Sequence, residues 1–173
     1  MGKYEVTQAE WKAVMGNNPS NFKGADLPVE QVSWNDTQEF IKKLNQMTGK
    51  NYRLPKEKEW EYACYGGSPT PTEYCGSNDI KAVAWYTGNS EMETHPVGQK
   101  QPNGYGLYDL SGNVWEWVEE CYEGMCKGGC CQRVVRGGSW YSIPDAVRVV
   151  YRGRVATTFQ FNVGGFRLAR TLP

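Results

Sequence analysis

Six cysteines are the first residues in this chain with chemistry to offer: Cys64, Cys75, Cys121, Cys126, Cys130 and Cys131. The last four form C-x4-C-x3-CC in a glycine-rich stretch, CYEGMCKGGCC. A zinc site usually takes two paired CxxC or CxxH elements, and neither spacing occurs here. The pattern favours local disulfides, and with them an oxidising compartment, while leaving the connectivity open. Neighbouring Cys130 and Cys131 are not expected to pair with each other. The single histidine, His95 in THPVG, has neither a nucleophile nor a metal partner beside it and reads as structural. Asn35-Asp36-Thr37 matches a glycosylation acceptor, but it falls at a helix start and reads as incidental.

These groups must be positioned by a chain of 173 residues, long enough for one domain with a real core over 1–173. Seven Trp, eleven Tyr, 20 Gly and nine Pro predict a loop-rich fold held by aromatic packing rather than a bundle of long helices. No apolar run approaches membrane-spanning length and no signal peptide is present, so no membrane insertion by this domain is expected. The chain opens abruptly at MGKYEVTQAEW, as a mature or trimmed fragment would, so a missing targeting signal does not fix the compartment. Charge is uneven: 12 basic and 18 acidic side chains lie in residues 1–127, against seven Arg and one acid, Asp145, in 128–173. A basic tail can serve nucleic acid. These Arg are spaced singly and no nucleic-acid module motif accompanies them, so the expectation is acidic helices packed against Arg-rich strands.

Thr7 and Glu10 spell a capping box for a first helix that ends at Gly16. Ser33 and Asp36 start a second, with Phe40, Ile41, Leu44 and Met47 at helical spacing before Gly49 stops it. NYRL reads as a short strand. Pro55 then precedes a third helix in which Trp60, Ala63 and Cys64 share a face. Beyond about residue 66 turns and short alternating segments take over, including RVVRGGSW, VRVVYRGR and GGFRLAR. Helices first and strands later indicate α+β.

The motifs YEVTQAEW, PVEQVSWNDTQEF, YRLPKEKEWEYA, NGYGLYDLSGNVWEW, RVVRGGSW and GGFRLAR, in that order, resemble the formylglycine-generating-enzyme (sulfatase-modifying factor) family across nearly the whole chain. The resemblance implies a C-type-lectin-like fold. WND at 34–36 and QPN at 101–103 look like the calcium-and-sugar signatures of C-type lectins, but they occur in reverse chain order, and Ser33 to Asp36 is already explained as a cap. The family's oxidases carry a cysteine pair soon after GGS that binds copper and exchanges with a substrate thiol. The corresponding stretch, GGSWYSIPDAVRVVYRGR, has none, with Ser142 and Val147 about where the pair would be, so no copper and no enzyme activity are expected. In the family a calcium is held by two side chains and two backbone carbonyls. Those positions match Asp109 and Glu116 for side chains, with Gly112 and Val114 for carbonyls. The alternative is that Glu116 pairs with Arg136 or Arg167.

The segment YSIPDAVRVVYRGRVATTFQFN further resembles the variable region, at about 136–170, of proteins diversified by retroelements, those of treponemal type above all. In them adenine-directed mutagenesis rewrites AAC codons between RGGSW-like and GFRLA-like anchors. Such a codon reaches Tyr, Ser, Ile, Pro, Asp, Val, Thr, Phe, Ala or Gly, but not Lys, Glu, Gln, Met or Trp. Residues 141–162 contain none of these excluded types except Gln160, which reads as an unvaried position. The resemblance implies a surface receptor or adhesin, extracellular or on the cell surface and lipid-anchored through a segment ahead of Met1, binding an unknown protein or other macromolecule. Tyr141, Ile143, Pro144, Val155, Phe159 and Phe161 would be apolar anchors; Ser142, Asp145, Thr157, Thr158 and Asn162 would be polar contacts, and Val147 is included in the site. Arg148, Tyr151 and Arg152 read as fixed scaffold, and Val149 and Val150 as buried strand. An oxidase-like enzyme and a fixed partner-binding domain are the alternative functions.

Overall fold

Both capping boxes form as the sequence predicts. The Thr7 amide donates to Glu10 Oε2 at 2.8 Å and the Glu10 amide returns to Thr7 Oγ1 at 3.3 Å, which starts helix α1 (Gln8–Met15). Ser33 and Asp36 do the same for α2 (Trp34–Thr48), and Gly16 and Gly49 end the two helices in the left-handed conformation. In α2 Phe40 and Ile41 are buried, Leu44 is half-covered and Met47 is exposed, so the apolar stripe is narrower than its spacing predicts. Strand β1 (Tyr52–Arg53) follows, then α3 (Glu57–Tyr65), whose Trp60, Ala63 and Cys64 all face inward. A four-residue helix, α4 (Ile80–Val83), is an addition to the expected set; Asp79 caps it.

The computed structural model describes residues 1–122 and 132–171. Beyond α4 the chain makes β2 (Ala84–Trp85) and β3 (Ser111–Gly112), paired in parallel. Next come β4 (Trp115–Cys121), β5 (Gln132–Arg136), β6 (Arg152–Ala156), β7 (Gly164–Gly165) and β8 (Ala169–Arg170). The main sheet has the order β6-β5-β4-β7, antiparallel except for β4 with β7, while β8 closes back on β1. VRVVYRGR is therefore strand only from Arg152 onward.

Strands of two to seven residues cannot hold themselves, so aromatic rings and indole N–H groups do. Trp11 stacks on Phe40 at 5.1 Å and both meet Phe166 edge-on, joining α1 and α2 to the segment after β7. Trp117 donates its indole N–H to the Val32 carbonyl, Trp34 to Val118, and Trp140 to Asn162, which ties β4 to the loop before α2, α2 to β4, and the two ends of the late segment to each other. The charge asymmetry is spent inside the fold. Glu57 of α3 receives both Arg136 (3.1 Å) and Arg152 (2.6 and 2.8 Å), and Glu61 also reaches Arg136. Acidic helix against Arg-rich strand is thus the observed arrangement.

Candidate functional site

The two anchor motifs form one rigid frame. Gly138 sits at φ 75°, and a Cβ there would come within 2.4 Å of Val147 Cγ1, so only glycine lets the chain turn beneath that valine. Ser139 donates its amide to Ser142 Oγ, and the Trp140 amide goes to the Asn113 carbonyl. Trp140 Nε1 crosses to the Asn162 carbonyl at 3.0 Å, which links the start of the framed segment to its end. Phe166 is core, and Arg167 is fully buried.

Within the frame, side chains divide cleanly. Tyr141 (59% exposed), Ile143 (62%) and Phe159 (57%) stand out from the surface with Pro144, Asp145 and Thr158. Val155, Thr157, Phe161 and Asn162 are half-buried at its margin. Two expected site residues are corrected. Ser142 is buried because its hydroxyl completes the Ser139 turn, and Val147 is buried against Tyr74, Val83, Ala84 and Tyr86. Val150, expected to be buried, is instead 71% exposed while Val149 packs inward. The two valines are the central residues of a turn closed by the Tyr151 amide on the Arg148 carbonyl, which sends Val149 inward and leaves Val150 at the tip in water.

The exposed rings are backed rather than loose. Tyr141 rests on Trp140 (5.3 Å), which rests on Phe22 (5.4 Å); Phe159 rests on Phe161 (5.6 Å), which abuts core Trp117 (5.8 Å). Polar clasps hold the intervening backbone. Arg148 bonds Glu73, Arg152 bonds Glu57 and Gln160 Nε2 donates to Asp36 Oδ2 at 2.8 Å. The one side chain that adenine mutagenesis cannot write is thus a tie to the cap of α2. Asp145 leans only toward Arg148, at 3.6 Å. The face offers contact area and a few polar groups, with no base beside a nucleophile.

The residues matched to calcium are otherwise engaged. Asp109, Gly112 and Asn113 all adopt left-handed backbone, so DLSGNVWE does curl. Yet both Glu116 oxygens lie on the Arg167 guanidinium, at 2.6 to 2.9 Å, and Oε2 also accepts the Trp60 indole at 2.6 Å. Asp109 Oδ2 accepts from the Gly98 amide, and Oδ1 has no partner among the described residues. Burial pushes the Asp109 carboxyl up to about 6 and raises Glu5 well above the usual range. No group of three acids, histidines or cysteines converges on a metal position among the described residues. Arg167 supplies the positive charge at Glu116, so that carboxylate is committed to an ion pair in this arrangement.

His95 stacks on Trp85 at 3.7 Å and its Nε2 hydrogen-bonds the Ser90 carbonyl, a structural role. Cys64 and Cys75 form a buried disulfide between α3 and the following loop, and Cys121 is also disulfide-bonded. Cys126, Cys130 and Cys131 lie outside the described residues. Among the described residues no helix is long and apolar enough to cross a membrane.

Comparison with known proteins supplies context for this geometry. The model of the sulfatase-modifying factor enzyme 1-like domain matches residues 1–172. Chaperone protein LppX of Paenibacillus barcinonensis is 35% identical, over 89% of this chain and 73% of that protein. The inactive C-alpha-formylglycine-generating enzyme 2 of Mus musculus is 33% identical over 88% of this chain, which spans only 50% of that relative's length. Among solved structures, Treponema denticola variable protein 1 superposes with a TM-score of 0.86 at 33% identity, covering 96% of this chain and 84% of that one. The α+β fold is of the formylglycine-generating, C-type-lectin-like kind.

Proposed function

The chain belongs to the sulfatase-modifying factor family, and we propose that it binds rather than catalyses: a display domain whose face at residues 141–162 contacts a macromolecular ligand and is diversified by a retroelement. One observation carries this reading. Between the two anchors the side chains split into clasps with named partners and outward aromatics or aliphatics, with no cysteine or histidine among them and Asp145 as the one carboxylate. Rigid exposed aromatics surrounded by small polar groups are what a binding surface uses to gain contact area at low entropic cost. The likeness to Treponema denticola variable protein 1 supports it, as does the position of Gln160 as a clasp. Disulfide-bonded cysteines support an extracellular or cell-surface setting. The likeness to LppX, named as a chaperone, favours a second reading in which the same face meets one fixed partner.

The nucleotide sequence separates these. Diversification requires a near-identical repeat downstream of codons 136–170, differing only at adenines, beside a reverse transcriptase gene. Its absence leaves the fixed-partner reading. Turnover of a CxPxR-type peptide with added copper would overturn both in favour of an oxidase.

A further inference from the structure

The most exposed aromatic side chain in the molecule lies outside the framed face. Tyr62, on the outer side of α3, is 69% exposed, and Tyr105, from the loop before β3, is 46% exposed. The two are held as a pair: their hydroxyls bond at 2.9 Å, with ring centroids 5.8 Å apart and planes tilted by 33°. Neither is free to collapse. Tyr62 is fixed on a helix whose opposite side carries Trp60, Ala63 and the Cys64–Cys75 disulfide. The Tyr105 amide donates to Asn103 Oδ1, and its ring lies over Gly67, where a Cβ would approach to 2.9 Å at φ 73°.

The pair walls an open groove of about 590 Å³ with an apolar floor from Ala63, Leu107 and Ala169. Its charge is one-sided. Arg53 is neutralised by Glu59 through two bonds of 2.6 and 2.8 Å. Lys58 and Arg170, both exposed on the rim, have no ion-pair or side-chain hydrogen-bond partner among the described residues. The groove therefore carries two uncompensated positive charges beside a tyrosine platform. Tyr62 lies in a helix whose backbone groups are satisfied within it, so this wall of the groove offers a ligand rings and side chains rather than free backbone groups.

We propose that this groove is a second binding site, fixed rather than diversified, for an acidic sugar of the uronate class. The apolar face of a pyranose ring packs on the tyrosines as buried apolar surface, its hydroxyls meet the phenols, and its carboxylate meets Arg170 or Lys58. A guanidinium recognises a carboxylate with two parallel bonds, whereas a neutral sugar leaves both cations unused.

Isothermal titration of the protein with hexagalacturonate and with a hyaluronan hexasaccharide tests this, with cellohexaose as the uncharged probe and hexaglutamate as the acidic peptide. The expected result is that one uronide binds, that cellohexaose does not, and that Tyr62→Ala and Arg170→Gln each weaken binding about tenfold or more. Thermal melting confirms that the two variants fold. Tyr141→Ala with Phe159→Ala should leave uronide binding intact, so failure here and failure of the proposed display face are read separately. Absence of binding by either uronide, equal binding of cellohexaose, preference for hexaglutamate, or indifference to Tyr62→Ala overturns the proposal.

Discussion

The frame and the segment it encloses are neighbours in the chain and opposites in physics. Arg136 bonds Glu57 of α3, Arg167 bonds Glu116 of β4, and Trp140 of the frame bonds the Asn162 carbonyl. Tyr141, Ile143 and Phe159 of the enclosed segment turn most of their surface to water and lean on the frame from outside. The difference locates stability and recognition in separate residues, so each can be altered with the other as its control. What holds the fold should be intolerant of change, and what meets a ligand should be nearly free to vary.

The sharpest break in the frame is the Glu116–Arg167 pair, in which both side chains are essentially unexposed. Removing Arg167 leaves Glu116 buried without its counter-charge, with the Trp60 indole still donating to it. Arg167→Met should cost about 3–5 kcal/mol, read as a loss of urea resistance or of soluble protein altogether. A stable Arg167→Met domain would mean that the three acids Glu5, Asp109 and Glu116 are held by something other than this guanidinium.

Next in size is the Cys64–Cys75 disulfide, which closes a short loop at a sequence separation of 11. Its removal by Cys64→Ala with Cys75→Ala should destabilise by about 2–4 kcal/mol in equilibrium unfolding. Because Cys64 also packs beside Trp60 in the core, the variant pair should lose more than mild reduction does.

Part of this was legible beforehand because local chemistry announces itself. Thr7 with Glu10, Ser33 with Asp36, and the glycines that follow each helix satisfy backbone groups within a few residues, so sequence alone places α1 and α2. The division of the enclosed segment was less legible because it is set by distant residues. Val147 is buried by Tyr74 and Tyr86, and Ser142 by the turn from Ser139; neither neighbour set follows from spacing. Val150 reads as core because it is β-branched, but it stands at the tip of the turn from Arg148 to Tyr151 and faces water. Glu116 matches a metal position by motif, and in the fold it pairs with Arg167, one of the two arginines the sequence offers it.

Outside the frame, the loop between α1 and α2 contains a residue that costs stability at neutral pH. Glu30 is fully buried; Oε1 accepts the Phe22 amide, Oε2 has no partner among the described residues, and burial pushes its pKa up to about 7. The folded protein therefore holds a proton that the unfolded chain releases near the ordinary carboxylate value. The stabilisation linked to that proton is complete below about pH 4.5 and is lost as pH rises through about 7. Glu30→Gln should remove this dependence, raising stability at pH 8 by on the order of 2 kcal/mol while changing little at pH 4. Melting temperatures across that range decide it, and an unchanged slope would show that Glu30 is ionised in the fold throughout.

The smallest effects on stability belong to the exposed positions, and that smallness is what the display reading requires. Single changes at Tyr141, Ile143, Pro144 or Phe159 should move stability by less than about 0.5 kcal/mol, because each side chain gives up little buried area. Ile143→Asp should be tolerated, whereas Val147→Asp, four residues on, puts a charge among Tyr74, Val83 and Tyr86 and should abolish folding. The comparison extends to libraries. Randomising 141, 143–145, 150, 158 and 159 together should leave most surface-displayed members resistant to protease, while randomising 142, 147, 149 and 160 should not. If the first library is as fragile as the second, the outward residues are holding the fold, and the face is no site of free variation. If it is robust, the frame suffices to present whatever side chains occupy the segment, since Gln160 to Asp36, Arg148 to Glu73 and Trp140 to Asn162 fix the backbone from positions the library leaves alone or from the helices beneath.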